Sequence, residues 1–321
     1  MRAKYRDALP QLGDKLFLTD GGIETTLIFH QGQELPHFAA FDLMRTPEGR
    51  AELARYFAPY VALAKRDGRG LVLESATWRS NPDWGRVLGY TPEALDAVNA
   101  AAIDFIRAIH EAEETEASPM VLSGCLGPRG DGYAPDTYMT AEEAEAYHAR
   151  QVQVFEAAGA DMVTAITMTY VEEGIGIARA AKAAGIPAVI SFTLETDGRL
   201  RQGTSLREAV EACDAATGGY PAYYMVNCAH PSHFRDRLGA GDGDGAWRAR
   251  IGGLRANASK MSHAELDESP VLDDGDPAEL AQDYRGLMDL LPRLNVLGGC
   301  CGTDHRHIAA ISHACGHVHA A

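Results

Sequence analysis

The chain has 321 residues and a formal net charge of −16, from 29 basic and 45 acidic side chains. Such a charge repels nucleic acid and anionic membranes and favours a cationic small molecule over a polyanion. Hydrophobic residues make up 46% of the chain, enough for a large buried core, which excludes a disordered or fibrous protein. At roughly 150 residues per domain two domains would fit, but single α/β barrels also reach this length. Residues 1–15 carry charges throughout and no apolar h-region, so no secretory signal is read there. The apolar runs are far too short to span a bilayer. Six cysteines are too few for a disulfide scaffold. The expectation is a cytoplasmic protein without nucleic-acid or membrane partners, with a homo-oligomer left open.

Eight short apolar runs end in Gly, Ser, Thr, Asn or neighbouring residues, with helical signals between them. KLFLTDGG (15–22) is followed by a helix over 46–66 that opens Thr-Pro-Glu. GLVLESAT (70–77) precedes a second such opening and a helix over 91–114. PMVLSGCLG (119–127), a helix over 140–159 and DMVTAITM (161–168) come next. A helix over 172–185 leads to IPAVISFTL (186–194), and one over 205–213 to YYMVNCAH (223–230). IGGLRANAS (251–259), a helix over 276–290 and NVLGGCCG (295–302) complete the series. Nearly continuous apolar character fits strands buried on both faces. An open doubly wound sheet has the same local pattern. Eight units without a linker favour one domain, residues 1–321, folded as an α/β protein with a single (β/α)8 TIM barrel. The Asp-Gly-rich stretch 236–250 reads as a solvated surface insertion and lacks the spacing of a calcium loop.

In such a barrel the chemistry gathers at the C-terminal strand ends. Cys228 ends the sixth run, and Cys300 and Cys301 end the eighth. Three thiolates and one exchangeable position make a tetrahedral zinc site open to a ligand. The glycines at 298, 299 and 302 give the loop freedom to turn adjacent cysteines toward one ion. The plain alternative is three buried small apolar residues, which is also the reading for Cys125, Cys213 and Cys315. Geometry alone leaves both open for the first three.

TDGGIETTL (19–27), SGCLGPRGD (123–131), GAD (159–161), VNCAHPSHF (226–234) and above all LGGCCGTDHRHI (297–308) resemble the homocysteine S-methyltransferase family. That family comprises zinc-dependent barrels, including betaine- and S-methylmethionine-dependent enzymes and the homocysteine domain of cobalamin-dependent methionine synthase. The resemblance covers almost the whole chain. It implies Zn2+ held by Cys228, Cys300 and Cys301, with a thiol acceptor at the open position. The implied reaction moves a methyl group from a small donor, such as S-methylmethionine or another sulfonium or ammonium compound, to homocysteine, forming methionine. It also implies that Asp20, Gly21 and Gly22 surround the acceptor, with Glu24 and Thr25 close behind. Glycine amides could receive its carboxylate, although a tight turn capped by Asp20 explains the same residues. Glu74, Thr167, Glu195 and Asn227 complete the expected substrate contacts at the strand ends.

One departure bears on the acceptor. The family shows Glu-Thr after the fourth strand, with the glutamate on the acceptor's ammonium; here Ile166 precedes Thr167. A nearby acid replaces it, Glu74 or Glu195 foremost and Glu24 after them, or the acceptor is another thiol or selenol. Trp78, Arg79 and Trp84 follow the second strand. A tryptophan face beside a carboxylate suits a cationic donor, while closing the barrel top or a subunit contact would use the same residues. His230 and His233 flank Cys228 and could shape the metal's surroundings. His305, His307, His313, His317 and His319 read as a final helix and a tail without ligand spacing. A non-catalytic zinc-binding barrel is the competing class, and zinc-dependent hydrolysis ranks lower because three thiolates make a soft, poor Lewis acid.

Overall fold

The computed structural model describes residues 3–135, 137–239, 245–268 and 271–316. Eight parallel strands pair in chain order and close, the first with the eighth, into a (β/α)8 barrel. They are β1 (Phe17–Leu18), β2 (Gly70–Glu74), β3 (Met120–Leu126), β4 (Met162–Met168), β5 (Ala188–Thr193), β6 (Tyr223–Asn227), β7 (Ile251–Ala256) and β8 (Val296–Gly299). All eight fall within the expected runs. The helices are α1 (Pro47–Asp67), α2 (Pro82–Val87), α3 (Pro92–Glu113), α4 (Ala141–Ala157), α5 (Val171–Ala184), α6 (Leu206–Thr217), α7 (Pro231–Gly239), α8 (His263–Glu268), α9 (Pro277–Met288) and α10 (His305–Cys315).

Helix starts follow the local chemistry. Thr46 and Thr91 cap α1 and α3 through their hydroxyls, each with Pro in the first turn. Reciprocal capping boxes start α4 (Thr140 with Glu143) and α6 (Ser205 with Glu208). Gly68, Gly185 and Gly218 end α1, α5 and α6 in left-handed conformations that cost a glycine nothing. The expected loop over 236–250 is only partly loop. α7 enters it, residues 240–244 lie outside the described set, and a 3-10 turn over Ala246–Arg250 buries Trp247.

Period-two alternation sorts each strand into two faces. Leu71, Leu73, Leu122, Val163, Ile190 and Leu297 join the apolar layer beneath the helices. Phe17, Val72, Val121, Met162, Val189, Met225 and Val296 form a separate cluster with Leu9, which fills the barrel's lower interior. Two residues further along, the same inward positions turn polar: Glu74 after Val72, Ser123 after Val121, Thr164 after Met162, Ser191 after Val189 and Asn227 after Met225, all buried. Buried polar groups demand partners, so this upper layer is where specific chemistry must sit.

Candidate active site

A cavity of about 380 Å³ opens above that polar layer, lined by strand ends and the loops after them. The sulfur atoms of Cys228, Cys300 and Cys301 come together in its wall, all within 4.8 Å of one another. Among the described residues they form the one group of three or more His, Cys, Asp or Glu side chains spaced to hold a metal. Cys228 and Cys300 are joined as a disulfide, their Cα atoms 5.4 Å apart, while the Cys301 sulfur stands 4.0 Å from that of Cys228. Three separate thiolates were the sequence expectation. The pair and the thiolate set are two oxidation states of the same sulfurs, related by reduction. Zn–S bonds of about 2.3 Å in a tetrahedron place sulfurs about 3.8 Å apart, close to the Cys228–Cys301 spacing. With the pair reduced, the donor set fits a soft tetrahedral ion with one position toward the cavity.

Backbone geometry presents these sulfurs. Cys228 has a left-handed φ of 51°, unusual for a non-glycine residue. Its carbonyl accepts from His263 Nε2 (2.5 Å), Asn257 Nδ2 (3.2 Å) and Thr193 Oγ1 (3.4 Å). Those three donors hold the strained turn in place. The Cys300–Gly302 loop needs glycine for different reasons than conformational freedom alone. Gly302 sits at φ 79°, whereas Gly298 and Gly299 have side chains of Thr19 and Thr303 where a Cβ would go. Thr25 Oγ1 accepts from Gly302 N (3.0 Å) and so ties the first loop to the cysteine loop. The Tyr133 hydroxyl lies 3.5 Å from the Cys228 sulfur and 3.3 Å from that of Cys301, its ring stacked on His263.

Arg255, which the sequence reading missed, organises the cavity floor. From β7 its guanidinium reaches Asp20 (2.7 Å) and Glu74 (2.9 Å) and donates from Nε to the Gly299 carbonyl (3.0 Å). Tyr56 donates to the other Asp20 oxygen (2.7 Å). Burial would lower the Arg255 pKa, but the Asp20 and Glu74 charges more than reverse this. It carries its charge permanently.

Asp20, Gly21, Gly22, Glu24, Thr25, Glu74, Trp78 and Thr167 all line the cavity as expected from sequence. Three expectations need correction. The Gly22 amide is already bonded to the Thr303 carbonyl (3.0 Å), so it is not open to an acceptor carboxylate. Glu195 lies outside the lining, 3.6 Å from His263 Nδ1 and 3.5 Å from Arg201; the His263 contact, then burial acting against it, leaves its carboxyl below the ordinary range. Asn227 is fully buried behind the wall, accepting from Thr167 N (2.9 Å) and Ser191 Oγ (2.6 Å), with Nδ2 4.0 Å from the Cys300 sulfur. It therefore positions Thr167, whose φ is 70°, instead of facing the cavity.

Ile166 also lines the cavity, and its carbonyl accepts from Trp78 Nε1 (3.2 Å). The Arg79 guanidinium stacks between Trp78 and Trp84, 4.4 Å from each ring. Trp78 thus already carries one protein cation. His230 and His233 turn to Ser232 and the Lys260 carbonyl, and His263 is the imidazole beside the sulfurs. Cys125, Cys213 and Cys315 are buried, as expected of structural cysteines. Of the C-terminal histidines, His307 is buried against Asp304 and the Asp274 carbonyl; His317 and His319 lie outside the described residues.

Comparison with known proteins agrees with the motif reading. Homocysteine S-methyltransferase of Escherichia coli (strain K12) is 28% identical over 166 residues, 48% of this chain and 52% of that protein, so the match spans about half of this relative. In fold, the chain is similar to the oxidised form of the homocysteine methyltransferase MmuM from Escherichia coli, with a TM-score of 0.71, 22% identity and coverage of 97% and 99% of the two chains. The metallated form gives a TM-score of 0.70 at 22% identity, covering 95% and 98%. The family model for homocysteine S-methyltransferase matches residues 17–315. The chain belongs to the homocysteine S-methyltransferase family.

Proposed function

We propose that this protein transfers a methyl group from a small cationic donor to the thiol of homocysteine, forming methionine, with zinc held by Cys228, Cys300 and Cys301. The observation that carries the reading is the convergence of three cysteine sulfurs in the wall of an acidic cavity. When bound, zinc supplies a lowered thiol pKa, so that the acceptor sulfur is a thiolate at neutral pH. The chain's own residues do the rest. Arg255 holds the Gly299 carbonyl just before the cysteine pair, and Thr25 braces Gly302 just after it. His263 and Asn257 fix Cys228. A rigid wall of this kind aligns acceptor and donor for in-line displacement, the largest share of rate that positioning can give. The S–CH3 bond forms as the donor's bond to the methyl carbon breaks, and a sulfonium donor leaves neutral.

Asp20, Glu24, Glu74, Asp131 and Asp273 line the cavity against Arg79 and Arg255. That excess of carboxylates favours a cationic donor over an anionic folate. With Arg79 on Trp78, donor attraction comes from the whole acidic mouth more than from a tryptophan face. Ile166 favours a second reading, in which the acceptor is a different thiol or selenol. The test is to supply zinc-loaded protein with homocysteine and, separately, S-methylmethionine, betaine and methyltetrahydrofolate, and to weigh the products. Methionine from the sulfonium supports the proposal. Stoichiometric zinc without methylation of any thiol would instead mark a non-catalytic barrel.

A further inference from the structure

A thiol amino acid brings two ions into the cavity along with its sulfur, and a desolvated ion needs a partner. Bonds already made decide which acid is available to its ammonium group. Asp20 has both carboxylate oxygens engaged, one by Arg255 and one by Tyr56. Glu74 shares the same guanidinium. Asp131 accepts the backbone N–H groups of Tyr133 and Ala134, and Asp273 accepts from Ser259 Oγ and Gly275 N. Glu24 is the one lining carboxylate that no other described residue hydrogen-bonds or ion-pairs; its carboxyl bonds only to its own backbone N–H.

Its location suits the role. Glu24 is half-buried at the start of a π-helical turn, Thr25–His30. The next residue, Thr25, bonds to Gly302, one position beyond Cys301. The Glu24 loop and the sulfur loop are therefore in contact. Ile166 gives the cavity a hydrocarbon surface, which can take methylene groups but no charge.

We infer that Glu24 receives the ammonium group of the thiol acceptor and thereby sets a preference for amino-thiols. The inference rests on reading the cavity as a thiol-methylation site. It is consistent with the state of the free protein: burial pushes the Glu24 carboxyl up to about 7, against its own backbone N–H and the more distant Arg79 and Arg255, with Asp20 reinforcing the rise. An arriving cation offsets that cost.

The test compares L-homocysteine with 4-mercaptobutyrate, which lacks only the amino group. Dissociation constants are measured by calorimetry on zinc-loaded full-length protein at about pH 8, where a free Glu24 carboxyl raised this far is ionised. Wild type should prefer homocysteine by at least about tenfold, the usual value of a hydrogen bond to a charged group. Glu24→Gln should weaken homocysteine alone and bring the two thiols within about threefold of each other, while Glu24→Asp keeps part of the preference. An unchanged preference in Glu24→Gln, or an equal loss for both thiols, overturns the assignment. Equal binding of both thiols by wild type also overturns it and leaves the methylation site standing. Wild type binding neither thiol overturns the site reading and this inference together.

Discussion

At the scale of single residues, the cavity separates groups that carry charge for the structure from groups that carry it for a ligand. Arg255 belongs to the first kind. It is buried between two carboxylates that would otherwise be unpaired. Arg255→Met should cost about 3–5 kcal/mol, the range for breaking a buried ion pair from one side. Urea denaturation would measure it, and a loss under about 1 kcal/mol would show the acids already solvated. In the proposed zinc site, Cys300→Ser would remove a soft anionic ligand. Zinc affinity should fall by more than about a hundredfold, beyond what loss of an outer partner produces. A competition titration with a chromogenic chelator reads this directly, and nitrogen or oxygen neighbours in the X-ray absorption of the wild-type metal would refute the sulfur set.

Glu24 makes a separate prediction about stability. Its carboxyl rises from the ordinary 4.5 to about 7 on folding, chiefly through burial. Between those values the folded state binds more protons than the unfolded one, so stability falls as pH rises through the window. Above about 7 the penalty is complete; below 4.5 it vanishes. Glu24→Gln, which stays neutral, should therefore melt higher than wild type at pH 8 and together with it at pH 4. A lower melting temperature for the variant at both pH values would contradict the burial argument. A residue that stabilises when neutralised yet weakens acceptor binding is the expected trade at a functional site.

Among the elements, the site is built from loops braced by helices behind them. The β3–α4 loop carries Tyr133 to the sulfurs, and Arg129 in that loop donates its backbone N–H to Glu173 (2.8 Å) on α5. Glu173 also bonds to His148 on α4 (2.9 Å), both side chains being wholly buried. This pair joins two adjacent helices to the loop that crosses the cavity. His148→Leu should destabilise the protein by about 2–3 kcal/mol, because the wholly buried Glu173 side chain loses a hydrogen-bond partner. Thr140→Ala, which removes only the α4 cap, should cost about 1 kcal/mol. Equilibrium melts of the two variants would distinguish a buried pair from a solvated cap, and equal small losses would deny the pair any special role.

For the whole molecule, net charge is the relevant quantity. With 45 acidic and 29 basic side chains, the protein attracts cations over distances that salt screens. The KM for S-methylmethionine should rise about two- to fivefold between low and high ionic strength, with kcat changing less. A KM indifferent to salt would remove the electrostatic argument for a cationic donor. The barrel core lies below and around the polar layer, apart from the sulfurs. Chelation should therefore leave the far-ultraviolet circular dichroism unchanged, unlike a small domain that folds on its metal.

The sequence by itself determined the barrel and the sulfur site. Strand runs, Thr-Pro-Glu helix openings and the Asn-Cys and Gly-Gly-Cys-Cys-Gly endings are local patterns, and a barrel always sends strand ends to one mouth. The short helices α2, α7 and α8 gave no comparable periodic signal, having only 6, 9 and 6 residues. Pairing of charges was a different matter. Arg255 meets Glu74 and Asp20 across 181 and 235 residues of chain, through inward positions of separate strands. Nothing near Ile-Gly-Gly-Leu-Arg marks that arginine as buried. For the same reason Glu74 and Glu195 looked like open acids in the sequence, whereas tertiary contacts with Arg255 and His263 had already taken them. Only closure of the barrel decides which carboxylate remains for a ligand, because the energy of a buried charge depends on every neighbour the fold brings to it.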